Sequence, residues 1–339
     1  MSLPEAFPGK VVGDEGAPQA TVIIPTFDGE KYLRQILQSL SQQKTKWDYE
    51  VLIIDSGSTD STLEIINDFP FVRLFQIPNE EFGHGKTRNQ AARLARGTYL
   101  AYLSHDAIPA TDYWLHEITI PLRESGVVAV MGKQVARNSC FPLLKYEIRS
   151  VFKRFGPDFG LTIFSLNNDG AEEKDLEAKS FYSDVNSATL RSFLLEVIPY
   201  QDLPYSEDMA FGKDVIEAGY SKAYAPAALV EHSNDLNLKE YKLRIFDEIL
   251  SLRRLGKDLP PLKFTRQLLY PLWGAGVDSV RILRDRDYSF GQKLKWLFVN
   301  PVYHFQKWRA FYTATHLNLE TASQESKYSL EKSRLEAKK

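Results

Sequence analysis

The chain has 339 residues, 43% apolar and 25% charged, which is typical of a globular protein with room for about two domains. With a single cysteine, Cys140, the chain cannot form an internal disulfide. We find no signal peptide and no run of ~18 apolar residues, and we therefore expect a cytoplasmic protein. The net charge of −2 is unevenly spread, since residues 239–315 hold 15 Lys and Arg against 7 Asp and Glu, whereas residues 1–238 are acidic. The acidic character of residues 1–238 argues against nucleic-acid binding.

Strand and helix patterns alternate through the first 130 residues. Apolar, β-rich runs predict strands at Thr21–Pro25, Glu50–Ile54, Val72–Gln76, Thr98–Leu103 and Val127–Met131. Helical spacing of apolar residues predicts helices over 30–43, after Ser58 or Ser61, and over 86–96 and 113–123. This alternation predicts an α/β fold with a mostly parallel sheet and helices on both faces.

After Val135 the pattern is less regular. We expect a turn at 167–170, an exposed acidic stretch at 172–177, ordered structure over 181–195 and a helix over 207–218. From about Tyr241 the chain is predicted to be helical, with breaks at 260–261 and at Pro271. We divide it into an N-terminal extension (1–19), a main domain (20–238, with halves 20–135 and 136–238), a basic aromatic helical region (239–315) and a polar tail predicted to be disordered (316–339).

Four loops that follow predicted strands carry small, polar or charged residues. They are Pro25–Gly29, Asp55–Asp60, Glu81–Asn89 and Ser104–Asp106. Because open α/β sheets bind ligands at the carboxyl ends of their strands, these loops are expected to form one crevice. In the third loop, Lys86 and Arg88 enter a helix whose free N–H groups and dipole favour an anion. The crevice therefore suits a phosphate-bearing ligand.

Asp106 is the single acid at the end of the apolar run 98–103. A carboxylate in this place suits a divalent metal or a phosphate-linked ligand, and the alternative is a solvated acid at a strand end. Contiguous Ser104, His105 and Asp106 cannot form a catalytic triad, since neighbours on an extended chain point to opposite faces. The sequence also lacks the glycine pattern of a P-loop, a G-x-G-x-x-G after the first strand and the Cys/His spacing of a zinc site.

Five motifs, in this order, resemble those of a known enzyme family. They are Pro25-Thr-Phe-Asp28, Asp55-Ser-Gly-Ser-Thr-Asp60, Glu81-Phe-Gly-His-Gly-Lys-Thr-Arg-Asn89, Ser104-His-Asp-Ala107 and Glu207-Asp208. The series resembles the family-2 inverting glycosyltransferases of GT-A fold. The second and third motifs are most similar to those of bacterial rhamnosyltransferases that build O-antigen or other cell-surface polysaccharides. The resemblance covers about residues 20–235 and implies a nucleotide-sugar half at 20–135 and an acceptor half at 136–238.

The resemblance implies a nucleotide-sugar site in these loops. Its members would be Pro25, Thr26, Asp28, Asp55, Gly85, Lys86, Arg88, Asn89 and His105. Thr26, Asp28 and Asp55 would line the nucleoside pocket. Asp55 would accept a hydrogen bond from an N–H group of the base.

Two cations of the third loop would meet the diphosphate of the donor. By the resemblance these are Lys86 and Arg88, whose charges attract phosphate oxygens. For Arg88, a structural ion pair with Asp55 or Asp60 is the alternative. Asn89 would hold either the loop or the sugar.

Asp106 corresponds, by the resemblance, to the last acid of the family's Asp-x-Asp metal motif, and Ser104 replaces the first acid. Mg²⁺ or Mn²⁺ held by a nucleotide diphosphate needs only one or two protein carboxylates, so metal binding is still expected. His232, after an apolar run at 224–230, fits the place of a histidine that the family often adds, and its alternative is a structural role. His105 would pack beside Asp106.

Glu207 and Asp208 open a predicted helix, where the helix dipole stabilises acids. Helix capping is the simpler interpretation. By the resemblance, Asp208 would be the general base that deprotonates an acceptor hydroxyl, with Glu207 as the second candidate. Asp184 and Asn186 would face the sugar or the acceptor. Transfer would be a single displacement that inverts the anomeric configuration, without an enzyme nucleophile.

Residues 239–315 interleave basic residues with aromatic ones. This pattern is typical of a helix lying on an anionic bilayer. The alternative is that these aromatic residues pack against the main domain or against a second subunit, in which case the protein would be an oligomer. The resemblance implies dTDP-L-rhamnose as donor and a lipid-linked or polysaccharide acceptor at the inner face of the cell membrane. Alternatives are a UDP-hexose donor on the same fold, or a non-catalytic nucleotide-sugar or glycan-binding module.

Overall fold

The structure is a computed structural model that describes residues 18–166, 178–319 and 328–330. The N-terminal extension up to residue 17, the turn expected at 167–170, the acidic stretch at 172–177 and most of the polar tail lie outside the described residues. The chain divides into two compact units. The first contains the described residues up to Val135 and those of Ile148–Ser233, and the second contains Ala136–Glu147 and the described residues from Asn234 onward.

Among the described residues, nine strands form one sheet in the first unit. In chain order they are β1 (Ala20–Thr26), β2 (Tyr49–Asp55), β3 (Val72–Gln76), β4 (Tyr99–Leu103), β5 (Ile108–Pro109), β6 (Val127–Val135), β7 (Thr162–Phe164), β8 (Asn186–Leu190) and β9 (Ser221–Glu231). Their order across the sheet is β3-β2-β1-β4-β8-β6-β9-β5, and β7 also pairs with β9. Only β5, β7 and β8 run against the common direction of these nine. The α/β class and the mostly parallel sheet are confirmed.

Helices accompany this sheet along the chain. They are α1 (Glu30–Ser41), α2 (Thr62–Asn67), α3 (His84–Leu94), α4 (Trp114–Thr119), α5 (Pro142–Lys153, which contains the boundary between the units), α6 (Arg191–Glu196) and α7 (Glu207–Glu217). In β1, Val22 and Ile24 enter the apolar core on one face, and Ile23 enters the core on the other. Strands that are buried on both faces form continuous apolar runs, which is why the sequence reveals them.

Three helices of the second unit follow one another along the chain. They are α8 (Leu238–Arg254), α9 (Phe264–Arg284) and α10 (Phe290–His316). Capping boxes begin α8 at Asn237 and α10 at Ser289. The apolar core of this unit includes Phe141 and Tyr303, whose rings stack with centroids 4.1 Å apart. Within the described part of the chain, none of the helices is both long and apolar enough to cross a bilayer.

The break predicted at Pro271 is wrong, because Pro271 lies inside α9. A proline removes one helical hydrogen bond and costs about 3 kcal/mol in a helix interior. Packing of α9 against α10 offsets this cost beside the proline, where the rings of Tyr270 and Trp308 meet with centroids 4.7 Å apart. The break predicted at 260–261 is confirmed, since these prolines separate α8 from α9.

Candidate active site

The carboxyl ends of β1, β2 and β3 lie side by side at one edge of the sheet. Thr26 is opposite Asp55, and Asp55 is opposite Gln76, so the loops that follow these strands begin at the same level. On the other side β1 pairs with β4, which leads into the loop at 104–106. The four loops expected to form a crevice are therefore neighbours along this edge.

Asp55 lies inside its own turn. Its side chain is buried, its Oδ2 accepts the N–H groups of Gly57 and Ser58 at 3.1 Å each, and its Oδ1 accepts the Ser58 hydroxyl at 2.5 Å. The carboxylate holds the loop after β2, and its predicted contact with a base stays a prediction. Thr26 is buried as well, and its hydroxyl donates to the carbonyl of Ile24.

Asp28 is the exposed acid of the first loop, beside the half-buried Pro25. Its backbone is left-handed, with a φ of 45°. Its Oδ1 accepts the N–H of Thr59 at 2.8 Å, and its own N–H donates to the Ser58 hydroxyl at 2.9 Å. These bonds join the first two loops. Of the three residues predicted to line the nucleoside pocket, Asp28 has an exposed side chain, whereas Thr26 and Asp55 are buried.

Gly85 allows the loop before α7 to approach the start of α3. A Cβ atom on Gly85 would lie 2.1 Å from the carbonyl oxygen of Gln201. Asn89, one turn later, holds the same loop, because its Nδ2 donates to the Tyr200 carbonyl at 2.8 Å and its Oδ1 accepts the Tyr200 N–H at 3.0 Å. Of the two roles considered for Asn89, the structure shows the loop contact. Lys86 is exposed on the same helix.

Arg88 is surrounded by acids from the second half of the main domain. Its Nε lies 3.1 Å from Asp184 Oδ2, and its Nη1 donates to Glu207 Oε1. The Tyr200 hydroxyl donates to the other oxygen of Asp184 at 2.8 Å. Both carboxylates are buried. Arg88 therefore does not form the ion pair with the second loop that was its alternative role, and its charge is directed at acids rather than at an open phosphate site.

Asp208 is the third acid of this group, which we call the acid–arginine cluster (Arg88, Asp184, Glu207 and Asp208). Its Oδ2 accepts the N–H of Asp184 at 3.2 Å, and its Oδ1 accepts the N–H of Met209 at 2.8 Å. Burial, followed by the negative charges of Glu207 and Asp184, raises the pKa of Asp208 to about 7, although the charge of Arg88 opposes this shift. A carboxyl group with a pKa near neutrality is suited to take a proton from a bound hydroxyl.

Asp106 and His232 lie together at the ends of β4 and β9. Asp106 Oδ2 is 3.4 Å from His232 Nε2, and the Ser104 hydroxyl donates to Asp106 Oδ1 at 2.6 Å. Burial alone would raise the pKa of Asp106, but the effects of His232, His105 and Ser104 together hold it well below its usual range. Asp106 is therefore a carboxylate at physiological pH.

Gln134, on β6, orients His232. Its Oε1 lies 3.1 Å from His232 Nδ1, and its Nε2 donates to the Ser183 hydroxyl at 3.1 Å. In the tautomer that carries its proton on Nδ1, the lone pair of Nε2 would be available to a cation on the Asp106 side. Among the residues that the structure describes, no group of three or more His, Cys, Asp or Glu could hold a metal ion. A metal at this place would have Asp106 and His232 as protein ligands.

These two groups of residues meet where β4 ends and β8 begins. The N–H of Ser104 donates to the carbonyl of Val185 at 3.1 Å. The residue before Val185 is Asp184 of the acid–arginine cluster, and Ser183 contacts Gln134. The predicted metal ligand and the predicted base thus belong to one continuous region of the first unit.

Asn186, predicted to lie on the acceptor side, is held inside the core. Its side chain is buried, with Nδ2 donating to the carbonyls of Lys133 at 3.1 Å and Ala228 at 2.7 Å. Its Oδ1 accepts the indole N–H of Trp114 at 2.8 Å. These bonds use its amide inside the core, where Asn186 joins strands, and its acceptor-side role stays a prediction.

The sequence analysis missed three polar residues of this region: Gln134, Ser183 and Tyr200. Gln134 stands near the carboxyl end of an apolar strand, which is the signal that identified Asp106, so the same criterion could have found it. No motif marks Tyr200, whose contacts reach Asn89 across 111 residues of sequence.

Comparisons with known proteins identify the family of this chain. Residues 21–197 match the family described as Glycosyl transferase family 2. The O-antigen chain rhamnosyltransferase RfbN of Salmonella typhimurium is 30% identical over 230 residues, which cover 67% of this chain and 70% of RfbN. The O-antigen chain rhamnosyltransferase WbaN of Salmonella anatum is 29% identical over 234 residues, which cover 68% of this chain and 71% of WbaN.

A solved structure has a similar fold. It is the mannosyltransferase PcManGT from Pyrobaculum calidifontis in complex with GDP-Man and Mn²⁺, with a TM-score of 0.53, 17% identity, and coverage of 90% of this chain and 86% of that chain. At this identity the similarity concerns the fold, which is the GT-A fold implied by the sequence motifs. Together with the family match over about half of the chain, it shows that the chain is a GT-A glycosyltransferase and belongs to glycosyl transferase family 2.

Proposed function

We propose that this chain transfers L-rhamnose from dTDP-L-rhamnose to a hydroxyl group of a lipid-linked or polysaccharide acceptor, in one metal-assisted displacement that inverts the anomeric configuration. The similarity to two O-antigen rhamnosyltransferases supports the sugar and the acceptor class. The observation that carries the chemistry is the position of Asp208, which accepts the N–H of Asp184 one residue before Val185, the contact of the loop that carries Asp106; its pKa is raised to about 7.

Asp208 fits the role of base better than Glu207 does. Glu207 is buried and accepts a hydrogen bond from Arg88, so its carboxylate is already engaged. Asp208 is only half-buried and accepts two backbone N–H groups. In the proposed step Asp208 removes the proton of the acceptor hydroxyl, the acceptor oxygen bonds to the anomeric carbon, and the bond from that carbon to the diphosphate oxygen breaks.

Asp106 and His232 would hold Mg²⁺ or Mn²⁺ together with oxygens of the diphosphate. The donor set fits, because a carboxylate and an imidazole nitrogen lie 3.4 Å apart and Ser104 and Gln134 fix their orientation. A bound divalent cation would supply charge stabilisation for the departing diphosphate. We assign the remaining cationic contact to Lys86, which is exposed at the start of α3.

The donor can be identified by thermal shift. Purified protein is heated with dTDP-, UDP- or GDP-sugars, each with and without Mn²⁺, and the free nucleotides serve as controls. A ligand that binds only the folded state raises its melting temperature by mass action. We expect dTDP-L-rhamnose to give the largest increase, by a few degrees, and only with the metal present. A larger increase with a UDP-hexose would replace the proposed donor, and metal-independent shifts would contradict the role of Asp106 and His232.

Replacing Gln134 tests the metal site independently of turnover. Gln134→Met keeps the volume of the side chain but removes the acceptor that keeps the proton on His232 Nδ1, whereas Gln134→Glu retains an acceptor. Partners that orient a metal-bound histidine are commonly worth 10–100-fold in metal affinity, so Gln134→Met is expected to weaken Mn²⁺ binding by about that factor. Mn²⁺ affinity is measured by titration in the presence of dTDP. Unchanged affinity in Gln134→Met would show that Gln134 does not position His232.

A further inference from the structure

The side of α9 that faces away from its protein contacts is apolar. Its exposed residues are Leu269, Leu272, Trp273, Val280 and Leu283, and Trp273 is 74% exposed. At about 100° per residue these five fall within an arc of about 100° on one face of the helix. A helix of a water-exposed unit normally places such a row in the core and its polar residues outside. In α9 a second apolar row is exposed, in addition to the buried Pro271, Ala275 and Ile282.

The first half of α10 has an exposed row of the same kind. Phe290, Leu294, Phe298, Val302 and Phe305 follow one another at spacings of three or four residues, and Phe290 and Phe298 are 85% and 75% exposed. We call these five residues and the five of α9 the outer apolar face. Scattered exposed apolar residues are normal, but a row of them along one side of a helix marks an interaction surface.

The inner side of the same two helices is polar where they meet. Asp278 of α9 is buried and accepts hydrogen bonds from His304 Nε2 at 2.9 Å and from Asn300 Nδ2 at 3.3 Å, both on α10. His304 also lies against Gly274, because a Cβ atom there would be 2.6 Å from its Nδ1. A buried acid with these partners strongly favours one orientation of the two helices. The outer apolar face is therefore fixed outward by specific contacts.

The charges around this face are basic. Residues 263–316 contain nine Lys and Arg against three Asp and no Glu. All three acids are engaged inside the unit: Asp278 by His304, and Asp285 and Asp287 by Lys145 at 2.9 Å and 2.8 Å. Arg266, Arg284 and Lys295 are exposed on the same helices as the apolar rows. A second copy of the chain would bring equal positive charges together, whereas an anionic bilayer offers both headgroup charge and an apolar interior.

We propose that the outer apolar face lies on an anionic lipid bilayer, with Trp273, Phe290 and Phe298 at the boundary between headgroups and acyl chains and the basic residues against the headgroups. The benefit of this contact rests on the proposed function, because a lipid-linked acceptor would be reached at such a surface. The lipid binding itself depends only on residues of the second unit.

Co-sedimentation of the full chain with vesicles tests the inference. Vesicles of phosphatidylcholine alone are compared with vesicles in which about a third of the lipid is phosphatidylglycerol. We expect at least about tenfold tighter binding to the anionic vesicles, weakened by salt. The double variant Trp273→Ser, Phe298→Ser is expected to lose at least about tenfold of that binding. The matched control Phe159→Ser, Leu161→Ser removes two exposed apolar side chains of the first unit and should bind like the wild type.

Equal binding by the double variant and the wild type would overturn the inference. A dimer in solution that the double variant dissociates, without a change in vesicle binding, would assign the face to a second copy and overturn it as well. Folding of each variant is checked by its melting temperature. The thermal shift with donor is measured in parallel, since loss of that shift with vesicle binding intact would count against the proposed function and not against the lipid contact.

Discussion

Replacing Asp208 by asparagine is expected to lower sugar transfer by about 10²–10⁴-fold, the usual contribution of a general base. Asn lacks the basic oxygen that takes the hydroxyl proton but keeps the size of the side chain. Binding of the nucleotide sugar should be unchanged, because the proposed donor contacts are made by other residues. Initial rates and the thermal shift with donor measure the two effects separately.

The matched control for this variant is Glu217→Gln, which neutralises an exposed acid at the other end of the same helix. Its transfer rate should equal that of the wild type. The wild-type rate is also expected to rise with pH through about 7, as Asp208 loses its proton. Transfer that survives in Asp208→Asn, or a rate that falls across this range, would show that another group is the base.

The same substitution should change the pH dependence of stability. The pKa of Asp208 in the folded protein, about 7, is higher than the ~3.9 of a free aspartate. Between these values the folded state binds more protons than the unfolded state, so the wild type loses stability as the pH rises. Asp208→Asn removes this loss. The melting temperature of the variant minus that of the wild type should therefore increase between pH 5 and pH 8. A difference that is constant with pH would contradict the raised pKa.

Arg88→Met is expected to destabilise the fold by about 3–5 kcal/mol, because it leaves the buried carboxylates of Asp184 and Glu207 without their cation. The control Arg34→Met breaks an ion pair with Asp68 in which both side chains are about half exposed, and such a pair is worth about 0–1 kcal/mol. Denaturant unfolding gives both values.

Two further readouts separate this ion pair from a simple loss of packing. Combining Arg88→Met with Glu207→Gln should cost less than Arg88→Met alone, since one of the stranded charges is removed. Arg88 also lowers the pKa of Asp208, so its loss should move the pH profile of transfer upward. An additive double variant with an unshifted pH profile would refute the electrostatic role of Arg88.

The fold was predictable because its signals are local. Strands buried on both faces appear as apolar runs, and the register of β1, β2 and β3 places their loops together without further information. The position of β8 between β4 and β6 was not predictable, since nothing local indicates which strands it joins. Pro271 shows the same limit, because packing against α10 overrides a strong local signal.

The sequence motifs name candidate members of the site but not the contacts between them. Lys86, Asp106, His232 and Asp208 stand where strand ends and motif order place them. The partner of Arg88 could not be read from the sequence, because Glu207 lies 119 residues away and is brought close by the packing of α3 and α7. Whether a polar side chain faces a ligand or its own loop depends on a few torsion angles, so the contacts of Asp55 within its own turn could not be read from the sequence.

We propose that this site performs an inverting displacement with Asp208 as base. Proton NMR of the purified chain with dTDP-L-rhamnose and Mg²⁺ tests this mechanism without a known acceptor, because water can take the acceptor's place. In the first spectra, we expect free rhamnose with the anomeric configuration opposite to that of the donor, and no release by Asp208→Asn. Release with the configuration of the donor would show a retaining reaction, and equal release by the wild type and Asp208→Asn would show that Asp208 is not the base.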